Sequence, residues 1–446
     1  MRIKIFILLS VLSVFLSPKI TSYAAGNDTE ITAQIEDFKD RTGCRSVSVV
    51  VVNNGDTSFY GDENALYQIG SMTKAFTGLA ILKLEKDGLL SDDDSISDIL
   101  NGYEAYYDGE ACDITIKQLL THTSGYTNEE SVYPSASKDM SLREWACLIS
   151  GKELSFKPGE GYAYSNVNYN LLGAVIEQKS GMSYEEYMNR AILTPLRLTH
   201  TYVHAPLNKA DIVSGSRIGY RYSFRYDIPV TEGKIPAGYF YSNASDMERW
   251  IRIWLFEEDI PNEYRELIKT VKKNLVDEND YYSGWELFED GCIGHSGGTP
   301  NYSSRIVFCD KEGIGVCVLT NMNVAASTDS LCNGIYEVTS GKRADDLKTD
   351  VWTVFDIVFL SVSLIGVMLI LITVYIKKRR AIITFLSFVI ILLTAICVVM
   401  PLVFGAGLKE IAFVWAPYSF IGGLIILAIN IPVSGIKLWK ICKHEN

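Results

Sequence analysis

The sequence predicts an α+β domain followed by three transmembrane helices. Strand patterns occur near both ends of residues 25–350, helical patterns fill much of the interval between them, and three long apolar stretches lie within residues 351–446. Short runs of β-branched or alternating residues indicate strands, whereas apolar residues at helical spacing indicate helices. We therefore divide the chain into an amino-terminal segment (1–24), a folded domain (25–350) and a membrane domain (351–446).

Residues 1–24 have the pattern of a secretory signal peptide. Arg2 and Lys4 precede an apolar core at 5–16, and Ser22 and Ala24 are typical of a cleavage site. The apolar core is short for a membrane span, which favours a cleaved signal over an uncleaved signal anchor. The folded domain is then expected outside the cytoplasm.

The folded domain is expected to begin and end with antiparallel strands. A hairpin is predicted at its start, with strands at 46–52 and 57–60 around a turn at 53–56. A second antiparallel pair is predicted at 303–308 and 315–321. The predicted helices are residues 29–41, 71–87, 114–120 and 169–179.

Ser71 and Lys74 open the second of these helices, which should stop at Gly88. A serine hydroxyl is a weak nucleophile unless a neighbouring group takes its proton. The three-residue spacing places the lysine amine on the same helix face, within one turn. The helix N-terminus adds N–H groups and partial positive charge where an oxyanion would develop. Ser71 is therefore the candidate nucleophile, with Lys74 as its partner.

An S-x-x-K pattern alone is weak evidence for a nucleophile, since a solvated serine and lysine on a helix have the same sequence pattern. The pattern also occurs from Ser135 to Lys138 in a polar stretch, and from Ser434 to Lys437 at the end of an apolar segment. Only Ser71 opens a long helix with apolar periodicity, which favours it over both.

A second candidate stretch is the glycine-rich loop at 158–166, where Tyr164 and Asn166 form a Y-x-N pattern ahead of a helix. Such a loop can present a side chain to a cleft. A phenol next to a lysine ammonium can have a lowered pKa and serve as a general base. The Y-x-N matches at Tyr187, inside a helix, and at Tyr241, before another helix, lack this loop.

The third candidate stretch, residues 294–300, combines His295 with Gly297 and Gly298 just ahead of a predicted strand. Glycines at these positions let a substrate approach the backbone closely. They also leave N–H groups available as oxyanion donors.

Charge and cysteine usage narrow the functional classes. The chain carries a formal net charge of −12, and residues 25–350 hold 50 acidic against 30 basic side chains. A domain this acidic is not expected to bind nucleic acid.

The seven cysteines of the folded domain lack metal-type spacing, and His200 and His204 lack the rest of a zinc motif, so we expect neither metal nor cofactor. The cysteines are interpreted mainly as small core residues, which leaves room for one or two disulfides.

Three stretches of the membrane domain are uncharged and long enough to cross a bilayer, namely 357–376, 381–408 and 411–436. Basic residues at 377–380 separate the first two, and Lys437, Lys440 and Lys443 follow the third. The positive-inside rule places both basic clusters in the cytoplasm and the folded domain outside, in agreement with the signal-peptide pattern.

Taken together and in this order, the three stretches resemble the penicillin-recognising serine hydrolases, specifically the class C β-lactamase-related family of β-lactamases, D,D-peptidases, D-aminopeptidases and esterases. The landmarks are IGSMTK at 69–74, LLTHTSG at 119–125, YSN at 164–166 with LLG at 171–173, PAGYFYS at 236–242 and HSGG at 295–298. The resemblance covers about residues 35–340. It implies an antiparallel sheet flanked by helices, an all-α cluster beside it, and an active site between them.

The resemblance also implies roles for the catalytic residues. Ser71 would be the acylated nucleophile, Lys74 would hold the proton network, and Tyr164 would act as base and then as acid. Asn166 would bind the substrate amide, and the N–H groups of Ser71 and Gly298 would form the oxyanion hole.

His295 departs from the β-lactamase pattern, in which the residue before Ser296 and Gly297 is usually a lysine. A mostly neutral imidazole is a poorer anchor for the carboxylate of a β-lactam than an ammonium. If His295 recognised substrate charge, its contribution would depend on pH near the ordinary histidine pKa of about 6.5. Weak β-lactamase turnover is therefore expected.

The expected function is a membrane-anchored, extracytoplasmic serine hydrolase that acts through an acyl-serine intermediate on a peptide, amide or ester, with cell-wall fragments among the candidate substrates. The alternative is a receptor for β-lactams or wall fragments that is acylated without efficient turnover. The loop between the first two spans has about four residues and the tail about ten, too few for a signalling domain, which favours the enzyme. A structural protein with an inactive site is disfavoured because all three stretches are intact.

Overall fold

The computed structural model describes residues 26–127, 140–208, 210–277 and 280–445. The predicted signal peptide at 1–24 and the S-x-x-K pattern from Ser135 to Lys138 lie outside the described residues.

The described strands run antiparallel to their neighbours in one large sheet and three small ones. In chain order they are β1 (Val47–Asn53), β2 (Asp56–Tyr60), β3 (Tyr67–Gln68), β4 (Ala105–Tyr107), β5 (Glu110–Cys112), β6 (Ser216–Gly219), β7 (Tyr222–Arg225), β8 (Tyr241–Ser242), β9 (Tyr281–Tyr282), β10 (Trp285–Leu287), β11 (Ile293–Thr299), β12 (Tyr302–Cys309) and β13 (Ile314–Thr320). The large sheet has the order β2-β1-β13-β12-β11-β10-β9, and the small sheets pair β3 with β8, β4 with β5, and β6 with β7.

The two predicted strand pairs join within the large sheet, where β1 and β13 are its second and third strands. β1 pairs with β13 in a register that sets Val50 opposite Cys317. All eight residues of β12, all seven of β13 and the first six of β1 are buried. Strands this deeply buried are covered on both faces, and helices provide the cover.

The helices of the folded domain pack on both faces of this sheet. They are Asn27–Thr42, Thr73–Lys86, Ile96–Ile99, Ile116–Leu120, Leu142–Ile149, Asn166–Ser180, Tyr184–Met188, Ile235–Gly238, Ala244–Trp254, Asn262–Asp277 and Ala325–Thr339. The first and the last of these enclose the smaller core on one face, with β1 and β13. The larger core on the other face holds the Thr73–Lys86 helix among the remaining helices. The α+β fold predicted from the sequence is thus confirmed.

All nine cysteines lie in the described part of the chain, and none forms a disulfide. Five of them are buried core residues, namely Cys44, Cys292, Cys309, Cys317 and Cys332.

Three helices after the folded domain are long and apolar enough to cross a membrane: Val351–Tyr375, Arg379–Phe404 and Tyr418–Glu445. The predicted bounds of the second and third spans were wrong. The second helix ends at Phe404, where Gly405 takes the left-handed conformation (φ 59°) typical of a helix end. The third begins seven residues later than predicted, because Pro417 holds Ala416 in an extended conformation.

Residues 405–417, which we call the inter-span segment, include the short helices Leu408–Glu410 and Ile411–Trp415. The β6–β7 hairpin contacts this segment: Arg217 donates to the backbone carbonyl of Ala412 at 2.6 Å and to that of Phe413 at 3.2 Å. The turn of the hairpin contacts the first span, where the buried carboxylate of Asp356 accepts the backbone N–H groups of Tyr220 and Arg221, each at 2.7 Å.

Candidate active site

Ser71 lies in a single 3₁₀ turn, Gly70–Met72, directly before the Thr73–Lys86 helix. Gly70 has a φ of 51°, and a Cβ added to it would lie 2.3 Å from the backbone nitrogen of Gly298 in β11. Only glycine allows both this conformation and this approach. The turn therefore brings the candidate nucleophile against the glycine pair of the third predicted stretch.

The Lys74 side chain is fully buried beneath Ser71. Its Nζ lies 2.9 Å from Ser71 Oγ and donates to Asn166 Oδ1 at 2.7 Å and to the carbonyl of Ala237 at 2.6 Å. Burial lowers the pKa of Lys74 well below its usual value, and Glu286 opposes this only as a secondary influence. The site therefore favours a neutral amine whose two N–H groups point to Asn166 and Ala237 and whose lone pair faces the Ser71 hydroxyl.

Tyr164 completes the group around Ser71. Its buried side chain lies close enough to Ser71 for the two to interact, and its ring centroid lies 4.9 Å from Lys74 Nζ. Burial raises the pKa of the phenol, and the interaction with Ser71 only partly offsets this. The expectation that Lys74 lowers this pKa was therefore wrong. The same burial that disfavours the ammonium also disfavours the phenolate, so both groups are held neutral.

His122, in the LLTHTSG landmark, positions the loop that carries Tyr164. The residue has a left-handed backbone (φ 57°), and its Nδ1 accepts the side-chain N–H of Asn168 at 2.8 Å and the backbone N–H of Ser165 at 3.3 Å. Its ring centroid lies 4.5 Å from that of Tyr164 and 4.5 Å from that of Tyr281. The LLTHTSG stretch is one of the landmarks of the family resemblance, but nothing in the sequence indicated a role for His122.

His295 is buried next to this aromatic group, with only 2% of its surface exposed. Its Nδ1 lies 2.5 Å from the carbonyl of Ser296, which fixes that nitrogen as the donor, and its Nε2 accepts the Tyr281 hydroxyl at 3.1 Å. Burial, with a smaller contribution from Lys74, lowers the pKa of His295 to about 3. The imidazole is thus neutral at physiological pH, and the structure does not support a role for it in reading substrate charge.

Gly297 and Gly298 differ in their surroundings. A Cβ on Gly297 would lie 2.2 Å from the carbonyl of Ile69, so this glycine allows β11 to pack against the Ser71 turn. Gly298 is exposed, and a Cβ there would meet nothing within 4 Å. Its backbone therefore borders open space beside Ser71.

A cleft opens at Ser71, and several of its lining residues were not predicted. Among the residues that line it are Ser71, Asn166, Lys234, Gly238, Gly298 and Trp415. Gly238 and the Ala237 carbonyl belong to the PAGYFYS landmark, which could have indicated them. Trp415 had no such signal, because it lay within a predicted membrane span.

Lys234 lines the cleft and brings a cationic side chain to it. Burial lowers its pKa to about 8, and Glu410 of the inter-span segment partly opposes that shift. At neutral pH Lys234 is mostly protonated, so it can contact a negatively charged substrate group where the buried His295 cannot.

Comparisons with known proteins agree with this geometry. A family model described as Beta-lactamase matches residues 31–334. Protein flp of Staphylococcus aureus (strain MRSA252) is 35% identical over 306 residues, which cover 62% of this chain and 59% of that protein. Penicillin-binding protein 4* of Bacillus subtilis (strain 168) is 30% identical over 272 residues, which cover 55% of this chain and 58% of that protein. The chain thus spans less than two thirds of the length of either relative.

The fold is shared with a solved structure, the octameric penicillin-binding protein homologue from Pyrococcus abyssi. The TM-score is 0.62 at 23% sequence identity, over 74% of this chain and 81% of that chain. On the strength of the family match over residues 31–334, the chain belongs to the beta-lactamase family, and this region forms a serine hydrolase domain of the type found in β-lactamases and penicillin-binding proteins.

Proposed function

We propose that the protein is a membrane-anchored, extracytoplasmic serine hydrolase that acts through an acyl-Ser71 intermediate on peptide, amide or ester substrates. The observation that carries this proposal is the buried Lys74 amine, 2.9 Å from Ser71 Oγ. A buried amine with a lowered pKa can accept a proton at neutral pH, which an exposed lysine cannot do.

Acylation begins with proton transfer from Ser71 to Lys74. As Ser71 Oγ attacks the substrate carbonyl, its proton passes to the neutral Lys74 amine, and the resulting ammonium keeps Asn166 and Ala237 as acceptors. The protonated phenol of Tyr164, close to both Ser71 and Lys74, is placed to donate a proton to the leaving group. Lys74 then restores the proton to the phenol.

The carbonyl oxygen gains negative charge during the attack. The backbone N–H groups of Ser71 and Gly298 are the proposed donors to it, since Gly70 brings the two backbones together and Gly298 borders open space. Deacylation repeats these transfers with water as the nucleophile.

The extracytoplasmic placement is supported by charge and by contacts. The basic residues at 377–380 lie between the first two spans, where the positive-inside rule favours the cytoplasm. The folded domain contacts the other side, through Asp356 in the first half of the first span and through the inter-span segment. We propose small peptides of the cell wall as the substrate class, because a relative over the same domain is named for penicillin binding.

The test uses the full-length protein in detergent and two covalent probes, a fluorophosphonate and a fluorescent penicillin. Both should label the wild type, and Ser71→Ala should abolish labelling. Ser434→Ala removes the serine of another S-x-x-K pattern and serves as the matched control, which should label normally. Labelling that persists in Ser71→Ala would contradict the proposal.

A second measurement separates turnover from permanent acylation. Unlabelled protein should hydrolyse esters and D-amino-acid amides over many cycles, because water cleaves each acyl-Ser71 bond and regenerates the free hydroxyl. A penicillin adduct that forms stoichiometrically, together with no turnover of any ester or amide, would instead indicate a receptor.

A further inference from the structure

One wall of the Ser71 cleft comes from the membrane domain. Trp415, in the inter-span segment, is half-buried and lines the same cleft as Ser71, Asn166 and Gly298. Trp145, Tyr239 and Pro300 also line the cleft and add aromatic and apolar surface to it.

The inter-span segment is held in place by contacts with the folded domain. Arg217, only 4% exposed, donates to the carbonyls of Ala412 and Phe413, and its guanidinium lies 4.8 Å from the ring centroid of Tyr418. The Tyr226 hydroxyl donates to the Phe413 carbonyl at 2.8 Å. A buried guanidinium that satisfies two backbone carbonyls fixes the position of the chain just before Trp415.

The indole of Trp415 is also oriented. Its Nε1–H donates to the Glu410 carboxylate at 3.3 Å, within the same segment. The polar edge of the indole is therefore occupied by protein, which leaves the apolar ring to face the cleft. Such a surface favours apolar and aromatic groups over charged ones.

We propose that Trp415 is a specificity-determining residue, whose indole receives an apolar or aromatic group attached to the scissile carbonyl. We assign the group to the acyl side of the substrate because Asn166, which the family resemblance gives as the contact for the substrate amide, lines the same cleft as Trp415. This inference rests on the proposed function and deepens it. The membrane domain then supplies part of the substrate site.

The test compares two esters with the same leaving group, p-nitrophenyl acetate and p-nitrophenyl phenylacetate, and uses the full-length protein in detergent. The wild type should prefer the phenylacetyl ester. Trp415→Ala should reduce the ratio of the two kcat/KM values by about tenfold, while kcat/KM for the acetate stays within about threefold. Trp439→Ala removes a tryptophan that is 62% exposed on the third membrane helix, and it should leave the ratio unchanged.

A second variant guards against misfolding of Trp415→Ala. Trp415→Phe keeps an aromatic ring of smaller area and should retain most of the preference, and small-fluorophosphonate labelling of Ser71 reports whether the site is assembled. An equal loss for both esters in Trp415→Ala, or an unchanged ratio, overturns the proposal. The proposal is also overturned if the ratio of the two kcat/KM values is as low in Trp415→Phe as expected for Trp415→Ala. That result would indicate a structural role for the tryptophan.

The two proposals fail in different ways. Wild-type protein that turns over neither ester contradicts the proposed hydrolase, and the role of Trp415 with it. Wild-type protein that turns over both esters, with a ratio that Trp415→Ala does not change, contradicts only the role of Trp415.

Discussion

Nζ of the fully buried Lys74 lies 2.9 Å from Oγ of Ser71. Because burial lowers the pKa of Lys74, the amine is deprotonated as pH rises through this lowered value, and the rate of Ser71 acylation should rise with it. The rate should level off below the usual lysine pKa of about 10.4. The measurement is the rate of fluorophosphonate labelling against pH.

The permanently charged Lys74→Arg and the uncharged Lys74→Met should each lower acylation by roughly 10²–10⁴-fold, the usual scale of general acid–base catalysis. Lys86→Met, at an exposed position of the same helix, is the control. Full activity in Lys74→Arg would show that the amine does not act as a base.

Tyr164→Phe should reduce kcat/KM for an ester by roughly 10²–10⁴-fold, because it removes the protonated phenol next to Ser71. Tyr162→Phe, at a side chain that is 57% exposed, should have little effect. The same holds for Tyr241→Phe, since the Tyr241 hydroxyl accepts the Gln68 amide at 2.9 Å. A larger loss in Tyr241→Phe than in Tyr164→Phe would show that the assignment of Tyr164 to the site is wrong.

The buried, neutral His295 should make stability depend on pH. Its pKa is about 3 in the folded protein and about 6.5 when unfolded, so the unfolded chain binds more protons between these values. The free energy of unfolding should therefore fall as pH drops below about 6.5, by up to about 1.4 kcal/mol per pH unit for this one group. His122, whose pKa is also lowered by burial, contributes with the same sign.

Thermal unfolding of the detergent-solubilised protein between pH 7 and pH 5 measures this effect. His295→Gln should flatten the dependence of Tm on pH. An equal slope in His295→Gln and the wild type would contradict burial of a neutral imidazole at position 295.

Lys234 is expected to read substrate charge in place of His295. With a pKa of about 8, it is cationic at pH 7 and largely neutral at pH 9. The ratio of kcat/KM for a carboxylate-bearing cephalosporin to that for a neutral ester should be about tenfold higher at pH 7 than at pH 9, the scale of a hydrogen bond to a charged group. The ratio cancels the pH dependence of Lys74, which both substrates share.

Lys234→Met should remove this pH dependence of the ratio. Lys157→Met, at a side chain that is 59% exposed, should preserve it. A dependence that survives in Lys234→Met would place the charge-reading group elsewhere.

The sequence predicted those elements whose local pattern is strong. The apolar strand at 46–52 and the helix that stops before Gly88 have bounds within a few residues of those predicted, since burial and a left-handed glycine act locally. The sequence also indicated the residues that the fold brings around Ser71. The pKa values of Tyr164 and His295 could not be predicted, because they depend on burial by segments distant in the chain. The place of Trp415 was missed because an apolar segment interrupted by Pro417 has the composition of a membrane span.

The carboxylate of Asp356 joins the first span to the β6–β7 turn of the catalytic domain through two backbone hydrogen bonds. In the membrane-anchored enzyme proposed above, these hydrogen bonds would hold the domain against the first span, so Ser71 would stay at one height above the lipid surface. The bonds that Ser71 can attack would then lie within a thin layer parallel to the bilayer. The protein would meet new substrate by lateral diffusion of the whole molecule, and bonds displayed farther from the membrane than this layer would remain intact however abundant they are.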